Sequence, residues 1–279
     1  MLDVKNVTKI FNAGTVNEKV AIDGLSLTLN DGDFVTVIGG NGAGKSTLLN
    51  LIAGTFAPDE GQICIDGVNV TKLPEYKRAK FIGRVFQDPM IGTAADMWIE
   101  ENMALANLRG KKRGLSWSIS QKDRAYYKEL LSALDLDLEN RLSTKVGLLS
   151  GGQRQAITLL MASMNHPKLL LLDEHTAALD PKTAAKVLEI TQRIVQAEKL
   201  TTLMITHNMK DAIAIGNRLI MMNNGRIIYD IAGEEKKKLT VAALMELFAK
   251  ASNGEFANDR ILMFFQKSLT AEVFLVSFP

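Results

Sequence analysis

Hydrophobic and polar positions along the chain form two recurring patterns. Mostly apolar runs at 34–38 and 169–172 are typical of strands buried on both faces of a parallel sheet, and Pro167 excludes a helix just before the second run. Segments with helical spacing lie at 47–53 and 154–163. Together these elements predict an α/β fold.

The beginning of the chain has shorter and more polar strand patterns. Residues 2–7 and 21–29 predict an antiparallel edge sheet whose strands are joined by a loop at 12–18. Residues 61–66 are expected to continue this sheet.

The rest of the chain divides into a helical part and a mixed part. From 88 to 149 the pattern is helical and more polar, with apolar helical spacing at 126–134. A strand is predicted at 202–206, followed by a helix at 209–215. Asn223-Asn224-Gly225 predicts the turn of a hairpin, because Asn-Gly favours a tight turn between strands.

Composition narrows the class of protein. The 279 residues, 47% of them hydrophobic, are enough for one large domain or two small ones with a proper core. Lys and Arg number 33 against 31 Asp and Glu, so net charge gives no reason to expect nucleic acid binding. The single cysteine, Cys64, excludes an internal disulfide framework, and three scattered histidines make no zinc pattern. We expect neither a signal peptide nor a membrane-spanning helix.

A glycine-rich segment between the first apolar strand and its helix predicts a phosphate site. Residues 39–46, GGNGAGKS, match G-x-x-x-x-G-K-[ST]. Such a loop turns backbone N–H groups and a helix N-terminus toward an anion, and its serine hydroxyl can bind Mg²⁺. The alternative, a turn that only joins strand to helix, leaves the lysine and serine unexplained. The predicted residues are Gly39, Gly40, Asn41, Gly42, Ala43, Gly44, Lys45, Ser46 and Thr47.

Two adjacent carboxylates end the run of four leucines. Ligands bind at the carboxyl ends of parallel strands, so Asp173 is predicted to hold Mg²⁺ through water and Glu174 to polarise the attacking water. An Asp that caps the next helix is the alternative, but it does not account for Asp-Glu after a phosphate loop.

A third segment, Leu149-Ser150-Gly151-Gly152-Gln153, opens the helix at 154–163. A Ser-Gly-Gly turn at a helix start is a second anion site. The chain has one phosphate loop, so this second site requires an explanation.

The three segments and their order resemble the nucleotide-binding subunit of the ABC transporter family. The resemblance implies a P-loop NTPase (RecA-like) core, an antiparallel β subdomain and a helical subdomain inserted at about 88–149. The ATP-binding domain is expected to span 1–258. The implied reaction is hydrolysis of ATP to ADP and phosphate with Mg²⁺.

The resemblance also implies roles for smaller motifs. Gln87 matches a glutamine that senses Mg²⁺ and the γ-phosphate, and His207 matches a histidine that contacts the γ-phosphate. Asp180, in Ala178-Leu179-Asp180, matches a loop at the dimer interface, and Phe11 is expected to stack on adenine. The implied catalytic residues are Glu174, His207, Lys45 and Gln87, and the implied metal ligands are Ser46, Gln87 and Asp173.

In this family the Ser150–Gln153 segment closes on the ATP of a partner subunit, so a homodimer or heterodimer of ATP-binding subunits is implied. Integral membrane permease subunits are further partners, with docking expected at 90–99, and an importer would add an extracytoplasmic substrate-binding protein. The implied location is cytoplasmic, peripheral on the inner face of the cell membrane. Import is our first hypothesis and export the alternative. An ABC ATPase acting on DNA or ribosomes is less consistent, because no heptads occur between 46 and 149 and the chain has one cassette.

Four features of the sequence stay open. His175 stands where the family usually has proline, and a packing role is favoured over an effect on the base. The signature helix lacks additional arginines found in many importers. Arg109, Lys111, Lys112 and Arg113 are expected to form a solvated loop or to approach anionic lipid. The apolar tail at 259–279 is compatible with packing on the core, assembly with another subunit, or an addition foreign to the natural chain.

Overall fold

The computed structural model describes residues 1–111 and 119–251. Its strands are β1 (Leu2–Phe11), β2 (Lys19–Leu29), β3 (Phe34–Gly39), β4 (Glu60–Ile65), β5 (Val68–Asn69), β6 (Ile82–Val85), β7 (Leu169–Asp173), β8 (Thr202–Ile205), β9 (Arg218–Asn223) and β10 (Arg226–Ala232). Its α-helices are α1 (Lys45–Ala53), α2 (Glu75–Arg78), α3 (Ile99–Asn107), α4 (Gln121–Ser132), α5 (Gly151–Ser163), α6 (Pro181–Ala197), α7 (Met209–Ala214), α8 (Gly233–Lys237) and α9 (Val241–Ala251).

Two sheets form in the described part of the chain. The first is antiparallel, with strand order β2-β1-β4-β5. The second has the order β10-β9-β3-β8-β7-β6, and all its strands are parallel except β10. This architecture confirms the predicted α/β fold with its antiparallel β part.

The four leucines of β7 show why this strand is central. Leu169 and Leu171 pack with α1 and the antiparallel sheet, whereas Leu170 and Leu172 pack on the opposite face with α5 and α6. Successive side chains of a strand point to opposite faces, so an unbroken apolar run fits only a strand covered on both sides. The prediction for this segment is confirmed.

Two helices begin earlier than the apolar pattern indicated. The α1 helix starts at Lys45 rather than at residue 47, and α5 starts at Gly151 rather than at residue 154. Both first turns consist of small or polar residues, which carry no apolar periodicity. Between 88 and 149 the structure has α3, α4 and a short 3₁₀ turn at Val146–Leu148, so part of this segment is loop.

The proposed grouping of basic residues is wrong for Arg109. Its Nη2 donates to Ala162 O at 2.7 Å, and burial lowers the pKa of its guanidinium. Arg109 therefore contacts the end of α5 and is only partly exposed. Lys112, Arg113 and the tail at 259–279 lie outside the described residues. The domain boundaries stay a prediction.

The hairpin turn forms where the sequence predicted it. Asn224 and Gly225 connect β9 to β10 with φ of 46° and 75°, as the Asn-Gly signal predicted. Within 1–111 and 119–251, every helix is too short or too polar to cross a bilayer.

Candidate functional site

Three neighbouring strands bring the predicted phosphate loop and catalytic residues together. The strands β3, β8 and β7 are adjacent and parallel, so the segments that follow their carboxyl ends meet at one edge of the sheet. A cavity of about 240 Å³ opens there. It is lined by Phe11, Lys19, Ala21, Asn41, Gly42, Ala43, Gly44, Lys45, Ser46, Thr47, Glu174 and His207.

The backbone of the loop needs glycine at two close approaches. A Cβ on Gly44 would lie 2.6 Å from Ala21 O, and this residue has a left-handed φ of 99°. A Cβ on Gly39 would lie 2.4 Å from Met222 O. Gly44 is also the N-cap of α1 and provides no side-chain cap. The positive end of α1 therefore faces the cavity with its first backbone donors uncapped by a side chain, which suits an anion.

Lys45 lies beneath this loop. Its Nζ donates to Gly39 O at 2.8 Å and to Gly40 O at 3.0 Å. Burial lowers the pKa of Lys45, while the charges of Glu174 and Asp173 act in the opposite direction. The two glycines thus position the ammonium group rather than line the cavity.

Glu174 and His207 form a carboxylate–imidazole pair at the cavity wall. Glu174 Oε1 lies 2.5 Å from His207 Nε2. Glu174 has a left-handed φ of 46°, an uncommon conformation for a residue with a side chain, and its N–H donates to Ile205 O at 3.0 Å. The Glu174 carboxylate can accept a proton from a water in the cavity, and the contact with His207 fixes its orientation.

Asp173 lies behind Glu174 and next to an arginine that the sequence interpretation missed. Burial raises the pKa of Asp173, and the positive charge of Arg84 opposes that shift. Arg84 Nη2 is 3.8 Å from Asp173 Oδ2. An arginine inside the otherwise apolar strand β6 was the available signal. Lys19 and Ala21 were also missed, because only the folded chain brings β2 against the loop.

Five predicted residues lie on two helix starts outside the cavity lining. Ser150 caps α5, with its Oγ accepting from Gln153 N at 3.3 Å. Asp180 caps α6 in the same way, accepting from Thr183 N at 3.1 Å. A Cβ on Gly152 would lie 2.2 Å from Thr183 Cγ2, so the two helix starts are in direct contact. Gly151 contributes to the same contact through Leu179.

Phe11 and Gln87 have different surroundings. Phe11 lines the cavity and contacts the Phe56 ring edge-on at 5.4 Å, so its ring is available next to the loop. Gln87 is exposed just after β6 and does not line the cavity. The roles predicted for both residues stay predictions.

His175 is buried in the core behind the site. Thr191 Oγ1 donates to Val187 O at 2.8 Å, so it accepts from His175 Nε2, 3.0 Å away. This contact places a proton on Nε2, and burial lowers the pKa of His175 to about 4, so the ring is neutral near pH 7. The arrangement agrees with the favoured packing role.

Acid should destabilise the protein through His175. Above the ordinary pKa of 6.5 the residue is neutral in both states. Between pH 6.5 and about pH 4 the unfolded chain takes up a proton that the folded chain excludes. The free energy of unfolding therefore decreases as the pH is lowered through this window. The loss is expected to be about 1 kcal/mol at pH 5.5.

His175→Gln is the comparison, because glutamine retains a donor for Thr191 and does not titrate. The measurement is urea unfolding of both proteins at pH 7.5 and pH 5.5. We expect the wild type to lose more stability than the variant over this interval. Equal losses would show that His175 is protonated in the folded protein too.

Comparison with known proteins agrees with this geometry. The family model described as "ABC transporter" matches residues 22–177. A tyrosine transport ATP-binding protein of Clostridioides difficile is 46% identical over 251 residues, which cover 90% of this chain and 100% of that protein. A xylose/arabinose import ATP-binding protein of Sulfolobus acidocaldarius is 34% identical, covering 91% and 98%.

Solved structures match in the same way. An ATP-binding cassette dimer in a post-hydrolysis state with ADP and Pi has a TM-score of 0.71 and 30% identity, covering 83% of this chain and 98% of that one. An ABC transporter cassette in its ADP conformation has a TM-score of 0.73 and 28% identity, covering 89% and 98%.

Proposed function

The chain belongs to the ABC transporter family as an ATP-binding, ATP-hydrolysing subunit, and from this premise we propose that it powers solute import by Mg·ATP-driven dimerisation. One observation carries the proposal: the phosphate loop faces Glu174 and His207 across one cavity, while Ser150–Gln153 lie outside that cavity's lining. A site with these parts can bind ATP within one chain but hydrolyses it only after a second chain has supplied the missing anion site.

The residues around the loop fit ATP and Mg²⁺. The uncapped start of α1 and the Lys45 ammonium suit the β- and γ-phosphates. The described residues include no cluster of three or more His, Cys, Asp or Glu side chains, so a resident protein-only cage is not the donor set here. Ser46, Asp173 and Gln87 would instead hold Mg²⁺ together with phosphate oxygens and water, as Mg²⁺ prefers. Bound Mg²⁺ would neutralise charge on the phosphates.

Hydrolysis then depends on the pair at the cavity wall. Glu174 takes a proton from the attacking water, and His207 orients the carboxylate and contacts the γ-phosphate. The Phe11 ring is proposed to stack on adenine.

The ATPase does not contact the solute. Because the 46% identical relative is named for tyrosine transport, an amino acid is the first solute to test.

Ser150–Gln153 and Asp180 are proposed to act across a dimer. Their two helix starts are packed against each other, which presents a second anion site next to the interface loop. The matched cassette with ADP and Pi is itself described as dimeric. Head-to-tail pairing gives each ATP a phosphate loop from one chain and a Ser150 segment from the other.

A permease is proposed to dock on an exposed apolar surface. We define this docking surface by Met90, Ile91, Trp98 and Leu148, all of which are exposed. Trp98 retains 43% exposure, so its ring is accessible to a partner. A subunit that drives transport must transmit force through such a contact, and we place it on the cytoplasmic face of the membrane.

Trp98→Asp is expected to abolish co-purification with the permease while basal ATPase activity stays within about twofold of wild type. Trp98 is the N-cap of α3, where aspartate is a favourable residue, so the helix should form normally. Val68→Asp is the matched control, because Val68 is equally exposed, at 42%, on β5. If Trp98→Asp still binds the permease, the docking surface lies elsewhere on the chain.

A further inference from the structure

Arg84 is a partly buried cation that the proposed mechanism does not use. It lies on β6, the last strand of the parallel sheet, next to the strand that carries Asp173. Phe86 is two residues further on and therefore on the same side, with its ring centre 4.5 Å from the guanidinium carbon. The Arg84 side chain is only 12% exposed.

Groups other than Asp173 fix the position of this guanidinium. Nη2 donates to Asn50 Oδ1 at 2.7 Å, and Nη1 donates to Thr55 Oγ1 at 3.2 Å. Glu75 Oε1 is 3.8 Å from Nη1. The Nε group is buried and has no hydrogen-bond partner among the described residues. Arg84 is therefore held by α1, by the loop after it and by α2.

The contact with Asp173 differs from these. The closest approach, 3.8 Å, is beyond hydrogen-bond distance but close enough for a strong charge interaction at a partly buried site. Arg84 thus gives Asp173 a positive neighbour without occupying its oxygen lone pairs. The carboxylate oxygens therefore remain free to contact another cation.

We propose that Arg84 is a positioning residue, a fixed internal cation that repels Mg²⁺ bound at Asp173 and so weakens the coupling between Mg²⁺ and nucleotide binding. The inference rests on the proposed role of Asp173 as a metal ligand. Its physical basis is that a fixed positive charge repels a divalent cation bound beside it. The consequence is a site that releases its metal and product more readily.

The test compares nucleotide affinity with and without metal. A fluorescent, non-hydrolysable ATP analogue is titrated in excess Mg²⁺ and in EDTA. The Kd in EDTA divided by the Kd in Mg²⁺ is the metal coupling, so a larger value means that Mg²⁺ strengthens nucleotide binding more. General weakening of the site affects both Kd values and cancels in the ratio. The variants are Arg84→Met and Arg84→Gln, which remove the charge, and Arg84→Lys, which keeps it.

We expect both neutral variants to raise the metal coupling by about fivefold, and Arg84→Lys to leave it within about twofold. Arg84→Gln is included because it retains a donor for Asn50 if Arg84→Met does not fold. In an Asp173→Asn background the neutral substitutions should have no further effect. An unchanged or lowered coupling in the neutral variants would overturn the inference, as would the same increase in the Asp173→Asn background.

The same experiment separates this inference from the proposed function. Asp173→Asn alone should reduce the metal coupling. If it does not, Asp173 is not a metal ligand, and both proposals fail at that point. If it does and the Arg84 variants behave like wild type, only the role of Arg84 is wrong.

Discussion

Glu174→Gln is expected to lower ATP turnover by at least about a hundredfold while ATP binding stays near wild type. Glutamine has nearly the same size and can still contact His207, which lies 2.5 Å from the carboxylate, but it cannot accept a proton from water. The measurements are phosphate release at saturating Mg·ATP and the equilibrium affinity for ATP. Binding and hydrolysis should separate in this one variant.

Glu189→Gln is the matched control, because Glu189 is an exposed carboxylate on α6 away from the cavity. It should hydrolyse ATP at the wild-type rate. Near-normal turnover by Glu174→Gln would remove Glu174 from the role of base and direct attention to His207.

Local sequence predicted the phosphate loop and the strands around it because each signal lies within a few residues. The run of Leu169–Leu172 required burial on both faces, and GGNGAGKS required a glycine turn before a helix. The start of α5 was missed, although Ser150 and Gln153 form a capping box that marks it. The first turn of α5 is polar and carries no apolar periodicity, so only its capping chemistry marks the helix start.

Contacts between distant segments could not be predicted in this way. Arg84 is fixed by Asn50, Thr55 and Glu75, which approach it only after α1 and α2 have packed beside β6. Arg109 resembled a member of a charged loop because its partner, Ala162 O, is far away in sequence. The burial and the partners of a charged side chain depend on segments distant in sequence, so local sequence does not predict them.

Mixed dimers test the composite site most directly. Lys45→Ala removes the cation of the phosphate loop, and Ser150→Arg places a bulky cation in the second anion site. Each variant alone should form dimers with two damaged sites and should be inactive. In a dimer of one chain of each kind, one site carries both changes and the other carries neither.

Mixed dimers purified through two different tags should recover about half of the wild-type turnover per dimer, because one of two equivalent sites is intact. They should also occlude one ATP per dimer, which would be detected even if turnover required both sites. Wild-type dimers carrying the same two tags provide the reference. Each variant is first shown to have the melting temperature of the wild type. Mixed dimers that stay as inactive as either parent and occlude no ATP would contradict a site built from two chains.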